Sequence, residues 1–544
     1  MTNGFDFSPG AQVPLTGMDG ETAATQALAS VAYRDAAPVT ALVDIHDGSA
    51  VSAPRLSLFA PTLGEAWARA VQNRMLGAGR DQVVQSFGIE PQTVVQHCLA
   101  AIRIRKERDT RLTALMCGFG LLFLPGVLLW LGAFQLRRSL ATMRGNGKRV
   151  GSMGGLVIAV AIGFTVLLAV RPPFTGFWRE YFRVLMIAPV IGWYWAKRIC
   201  ERTARELREG WGALAKGSGI GAKIPSAVPR SPDEVRAETL RQSFARLDAE
   251  QSSNVVFYAG PRGILGMGQR WGVWQMAEQL KPRKDVADIN PFRSWDVVRA
   301  IHDRLRMLER TPLHTGGFSK LSVRNWVVIP IGAGAGSISR PSGSEVDGYT
   351  VKDAEIQRIC NEQQFGKGSR HYLGIQFVLY DGNLVVTFMV TVTVLGATLQ
   401  AEVSGYALGP IHGLFTSGPP GLEKKTPKPI RAWETKTVKL PLIDSAEVVR
   451  LAARAPLTWF PHILDNLGGS LKLPEPFGLR HTWAGQPWDH RFMADDALRS
   501  ATPVLRAVHD AVVQVMDDNG VDTTGVGGGL TPGMDPKKAD AYDV

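Results

Sequence analysis

The chain is poor in every pattern that announces catalytic or metal chemistry. Its four cysteines, Cys98, Cys117, Cys200 and Cys360, are scattered and never fall in a C-x-x-C spacing. That excludes a zinc cage of the common kind and a disulfide-stapled scaffold, and it fits a reducing compartment. The ten histidines form no H-E-x-x-H; the nearest approach to a cluster, His481 and His490, is separated by Trp483 and Trp488, so no metal is expected. No G-x-S-x-G elbow occurs, Ser404-Gly405 sits in a strand pattern instead of a sharp turn, and His302-Asp303 reads as a solvated pair on an amphipathic helix. No acid, base and nucleophile can be assigned together, and no cofactor is expected. The first residues lack a basic stretch followed by an apolar one, so no cleavable signal peptide is expected.

A second lack is charge. Leu112 to Leu136 carries no charged residue over 25 positions, between Arg111 and the pair Arg137-Arg138. Val150 to Val170 is also charge-free, and Tyr181 to Ala196 is broken only by Arg183. About 20 apolar residues cross a hydrocarbon layer of roughly 30 Å, so these runs predict a membrane block of two to three hydrophobic helices over 112–200. The Pro125-Gly126 pair allows the first run to be a re-entrant hairpin. The net charge of +12 is concentrated in 103–149 and 171–208, and the rest of the chain is close to neutral. Basic flanks of apolar runs favour anionic lipid headgroups over nucleic acid as partner. Arg111, Arg137, Arg138, Trp178, Trp193, Trp195, Lys197 and Arg198 are the expected interface residues. Gly151, Gly155, Ala159 and Gly163 recur every four residues, a small-residue face suited to helix packing and self-association. The location expected is a cell membrane crossed more than once, with the C-terminal region cytosolic.

The flanking regions read as aqueous protein. Residues 21–111 form a small, mainly helical unit after a disordered 1–20, with helical spacing at Leu63 to Leu76 and from Pro91 onward into the first apolar run. A basic and Gly/Pro/Ser-rich linker spans 201–230. Residues 231–516 predict an α+β domain with an antiparallel sheet. His371 to Leu379, Leu384 to Leu395 and Thr398 to Ala407 are separated by Asp381-Gly382-Asn383 and Gly396-Ala397, a meander of two tight hairpins. Asn254 to Ala259 and Asn325 to Ile331 are candidate further strands. Trp295 to Leu308, Asp444 to Ala455 and Ala494 to Met516 show helical periodicity, and 517–544 is expected to be disordered.

Two glycine-rich loops follow predicted strands. The first holds Gly260, Arg262, Gly263, Gly266, Gly268, Arg270, Trp271 and Trp274. It lacks the Lys-Ser/Thr ending of a Walker loop and misses the dinucleotide fingerprint by one place, but it sets cations and flat rings beside open backbone and is the candidate ligand site. The second, from Gly332, runs into Pro341 without opening a helix. The function these features suggest is an integral membrane protein presenting a binding or scaffolding domain to a protein partner. The alternative is a membrane-bound enzyme acting on a nucleotide or lipid-derived substrate through the first loop.

Overall fold

The computed structural model describes residues 22–35, 39–43, 50–51, 59–124, most of 160–217, 234–310, 321–332, 338–362, 368–428, 431–526 and 530–532, with a few isolated positions. Helices dominate the N-terminal half: α1 (Ala23–Val31), α2 (Leu63–Leu76), α3 (Pro91–Leu115), α4 (Phe177–Ala215) and α5 (Val235–Gln251). Each starts where local chemistry permits. Thr22 caps α1 by accepting from the Thr25 amide, and Pro91 opens α3, where its missing N–H costs nothing. The helices share a core in which Leu28, Trp67, Val95 and Phe244 are fully buried.

α3 and α4 run antiparallel. A side chain at Gly126 would strike the Leu185 carbonyl, one at Gly192 would press on Phe119, and Leu112 packs with Ala196 and Cys200. α3 ends at Leu115 and passes into a wider π-type turn over Met116–Leu121. The predicted run Leu112 to Leu136 is therefore divided. The Tyr181 to Ala196 run lies within α4, where the interval between Arg183 and Lys197 is only about 20 Å long at 1.5 Å per residue. Among the described residues no helix is long and apolar enough to cross a membrane. That finding overturns the expected membrane block and re-entrant hairpin, the integral-membrane and membrane-bound-enzyme functions built on them, and the multi-pass location. Arg137, Arg138, Gly151, Gly155 and Ala159 lie outside the described residues, as does the side chain of Trp178.

The C-terminal half is built on one sheet of strands β1 (Val255–Tyr258), β2 (Gln269–Gln279), β3 (Leu321–Pro330), β4 (Arg370–Leu379), β5 (Leu384–Leu395), β6 (Thr398–Leu408) and the two-residue β7 (Thr531–Pro532). Their spatial order is β7-β2-β6-β5-β4-β3-β1. The meander β4-β5-β6 forms as its alternation requires, but β1 pairs parallel with β3, Val255 opposite Val327. The sheet is thus mixed and not antiparallel throughout, because β1 reaches its neighbour by a crossover instead of a hairpin. The tail expected to be disordered contributes Val521, which is buried, and β7, which pairs with β2.

The longer helices of this half are α6 (Ser294–Arg310), α7 (Asp353–Glu362), α8 (Ser445–Arg454), α9 (Pro461–Gly468) and α10 (Arg491–Asp518). α6 and α10 cover one sheet face, burying Phe377, Val386, Phe388, Val390 and Val403. On the opposite face the N-terminal unit covers one end of β5: a side chain at Gly88 would meet Val385. The turn between β4 and β5 binds it further, since Asp381 accepts from the Ala23 amide at 2.9 Å, at the start of α1.

An ion network also joins the halves. Glu65 of α2 is buried and takes Arg69 at 2.6 Å and the buried Arg454 of α8, whose Nη2 donates at 2.6 Å. Burial pushes the Glu65 carboxyl up, but the Arg454, Arg69 and Arg108 guanidiniums outweigh it and hold the group well below the usual carboxylate range. Glu65→Gln is expected to destabilise the fold by about 3–5 kcal/mol, since Arg454 would stay buried beside a neutral partner; urea unfolding measures it.

His371 on β4 is buried beneath Trp295, with Nε2 3.0 Å from the Asn325 Oδ1. Burial pushes it down to about 4, below the ~6.5 of an unfolded histidine. The unfolded chain therefore binds the extra proton between those values. This contribution to stability is complete above pH ~6.5 and declines as pH falls towards 4. Melting temperature against pH should fall less steeply over that interval in His371→Gln than in the parent.

Candidate functional site

After β1 the chain turns at Gly260-Pro-Arg262, closed by the Gly263 amide donating to the Gly260 carbonyl at 2.8 Å. Ile264 then bridges back to Tyr258, and the Leu265 amide donates to Phe257 at 2.8 Å. Gly266 and Gly268 follow with φ +85° and +81°. A β-carbon at Gly266 would lie 2.8 Å from the Gln85 carbonyl oxygen, and one at Gly268 2.2 Å from that of Ala407. Both glycines let backbones meet where a side chain has no room. A β-carbon at Gly409, just beyond β6, would likewise strike the Gln486 carbonyl.

Between these three stretches of backbone, 262–269, 407–409 and 474–487, lies a cavity of about 510 Å³, a size suited to a small ligand. Arg262 stands exposed at its edge, its Nη1 donating to the Glu475 carbonyl at 3.0 Å. The Glu475 carboxylate is engaged elsewhere, with Arg74 Nε at 2.6 Å and Nη2 at 2.8 Å. His481 and Thr482 form the inner wall with Gln269 at the rim. Thr482 is buried, and its hydroxyl has no hydrogen-bond partner among the described residues.

Arg480, the residue before His481, is fully buried. Its Nη2 donates to the carbonyls of Gly382 at 3.1 Å, Asn383 at 3.1 Å and Gly409 at 2.5 Å. Its Nε and Nη1 have no partner among the described residues. No carboxylate offsets its burial, which pushes the guanidinium down to about 9. An unpaired buried charge is costly, and here it stitches three loops together while leaving two donors over.

The predicted ligand loop is thus divided by the structure. Arg262, Gly266 and Gly268 line the cavity; Gly260 and Gly263 shape the preceding turn. Arg270 enters the β2 ladder opposite Tyr406. Trp271 and Trp274 pack edge to face at 5.3 Å, with Phe388 and Trp488 around them, in the core beneath α6 and α10. Among the described residues no group of three His, Cys, Asp or Glu is placed to hold a metal; His490 meets Tyr380 and Phe492 edge to face. Of the second glycine loop, residues 333–337 lie outside the described residues. Gly163 meets nothing within 4 Å of where a β-carbon would stand, whereas Gly126 and Gly192 carry the close helix approach. Arg480 and Thr482 were not legible as site residues, because they lie more than two hundred residues from Arg262. The only local signal is the density of Pro and Gly from Pro474 to Pro487.

The fold defines a protein with a mixed sheet, helices on one face and a helical unit wrapped over the other end, and with a glycine-walled cavity at the seam. Residues 273–527 match a family described as AbeC: AbeC-like domain, a description that names no activity. The match spans less than half of the chain. It takes in the sheet from the fifth residue of β2 to β6 and the 407–409 and 474–487 walls, while Arg262 and the glycines before β2 precede it. No curated protein and no solved structure matches the chain.

Gly268→Ala is expected to lower stability by roughly 1–3 kcal/mol, because positive φ and a backbone contact act together. Gly263→Ala, with φ +65° but nothing within 4 Å, should lower it less. Chemical denaturation of the two variants in parallel checks the order.

Proposed function

We propose that the chain is a receptor for a small anionic molecule, a phosphate or carboxylate, held in the cavity between 262–269, 407–409 and 474–487. The observation that carries the reading is the buried, uncompensated Arg480 guanidinium, bonded to the carbonyl of Gly409 in the cavity lining, together with the lining's Thr482 hydroxyl, which lacks a partner among the described residues. An anion there would answer a positive field that the protein itself leaves unbalanced, and charge-assisted hydrogen bonds are among the stronger contacts available in a low-dielectric site. Arg262 at the rim adds a second cation that an entering ligand reaches first. The Glu475 carboxylate of the lining is held by Arg74 and does not oppose an entering anion as a free charge.

The test is thermal unfolding of the full chain in inorganic phosphate and in citrate, against chloride at matched ionic strength. Binding at a hundredfold excess over Kd stabilises by about 2.7 kcal/mol, which raises the melting temperature by several degrees. Thr482→Val and Arg262→Ala should each reduce that rise. The same rise in parent and variants, or none above chloride, would remove the reading. Arg480→Met is not a clean probe, since the side chain also holds three loop carbonyls.

A further inference from the structure

Helix α4 is amphipathic in an unusual sense. Leu185, Ala188, Gly192 and Ala196 turn inward and are buried, Ala196 with Leu112 of α3, Gly192 against Phe119 and Leu185 near Gly126 beyond the end of α3. The opposite stripe, Val184, Ile187, Ile191 and Tyr194, is exposed and apolar, and it follows the three- and four-residue spacing of one helical face. That stripe continues without a break into the exposed cations Arg198 and Arg202. More than half of the exposed large hydrophobic side chains among the described residues lie between 122 and 195. An apolar surface of that extent marks an interaction site.

We propose that this face docks on an anionic lipid surface, lying along it or dipping into it without crossing. Charge and ring placement both select that occupant. Because α3 and α4 are antiparallel, Lys106 and Arg111, both exposed on α3, stand at the same end as Arg198 and Arg202. The collar is nearly all positive, since Glu107 is matched by Arg103 at 3.3 Å and Glu201 by Lys197 at 3.8 Å. Trp193, Tyr194 and Trp195, all exposed, occupy the border between apolar stripe and collar. There Lys197 lies over the Trp193 ring at 5.5 Å and Arg198 over Tyr194 at 5.3 Å. Rings with an apolar body and a polar edge suit the headgroup level, where hydrocarbon gives way to charge. The apolar interval of about 20 Å is short of a ~30 Å hydrocarbon layer, and length, stripe and collar together are what an interfacial helix requires.

The experiment is flotation of the full chain with vesicles of phosphatidylcholine alone and of an equal mixture with phosphatidylserine. The chain is expected to float with the mixed vesicles and far less with the neutral ones. The double substitution Arg198→Gln with Arg202→Gln should weaken partitioning on the order of 30-fold. Trp193→Ser with Trp195→Ser should weaken it severalfold, with melting temperatures close to the parent's. Should the tryptophan variant fold poorly, quenching of the parent's tryptophan fluorescence by bromine-labelled lipid reports the same insertion. A chain that floats with neither vesicle overturns the proposal, as does one whose flotation is indifferent to the tryptophans. A concentration-dependent dimer that the tryptophan substitutions abolish would assign the face to a second copy. Retention on vesicles through alkaline carbonate would also overturn a peripheral docking.

Discussion

Three aromatic rings hold the two halves of this protein as one. Trp67 of α2, Phe415 and Trp483 meet at centroid distances of 5.1 to 5.5 Å, fully buried. Trp67 belongs to the N-terminal helices; the other two come from the segments that follow β6 and precede α10. Those segments cross from the sheet into the helical core, where Arg34 donates to the Ser417 carbonyl at 3.0 Å and to that of Phe415 at 2.6 Å. Rings of this size dominate the energetics of any contact they enter. Their clustering is the apolar part of what keeps 409–417 and 471–485 over the end of the sheet, beside the hydrogen bonds of Arg34 and Arg480.

The cavity is a consequence of that crossing. Gly409 and Gln486 approach because the chain leaves the sheet and returns beside its own exit. Arg480 is buried because it fills the angle between the β4–β5 turn, the end of β6 and the short helical turn carrying Trp483. A hydrocarbon side chain would fill the same volume more cheaply, but it would leave the carbonyls of Gly382, Asn383 and Gly409 without this donor. Satisfying three carbonyls at two loop ends is a reason for an arginine there; it does not explain why Nε and Nη1 are left without a partner among the described residues.

What was legible in the sequence was local. The meander follows from β-branched alternation and from Gly382 and Gly396, whose φ values of +83° and +56° suit the turns. Leu63–Leu76 and Leu384–Leu395 appear with the bounds their periodicity predicts. What was not legible depends on contacts between distant positions. Nothing near Val255 says that it pairs parallel with Val327, and nothing near Glu65 says that Arg454 arrives to neutralise it. The glycine loop shows both sides of this limit. Its glycines were conspicuous and Gly266 and Gly268 do line the cavity, but a register shift at Trp271 brings that ring beside Trp274 on the far face, and the Thr482 and His481 of the lining come from the other end of the chain.

The apolar runs between 112 and 196 show why a charge-free stretch is a weaker constraint than it looks. A count along the sequence does not distinguish residues that face outward from those that face a neighbouring helix, nor does it register where a rod ends. In α4 the charge-free interval divides: Gly192 and Ala196 are small because α3 and the turn after it lie against them, while Val184, Ile187, Val190, Ile191 and the rings of Trp193, Tyr194 and Trp195 are left for another environment. The helical register halves the apolar surface, Arg183 and Lys197 bound its length, and the turn at Met116–Leu121 interrupts its partner. The hydrophobicity is therefore arranged as one short outward stripe ending in cations. That arrangement, more than the amount of hydrophobicity, is what any partner of this surface must match.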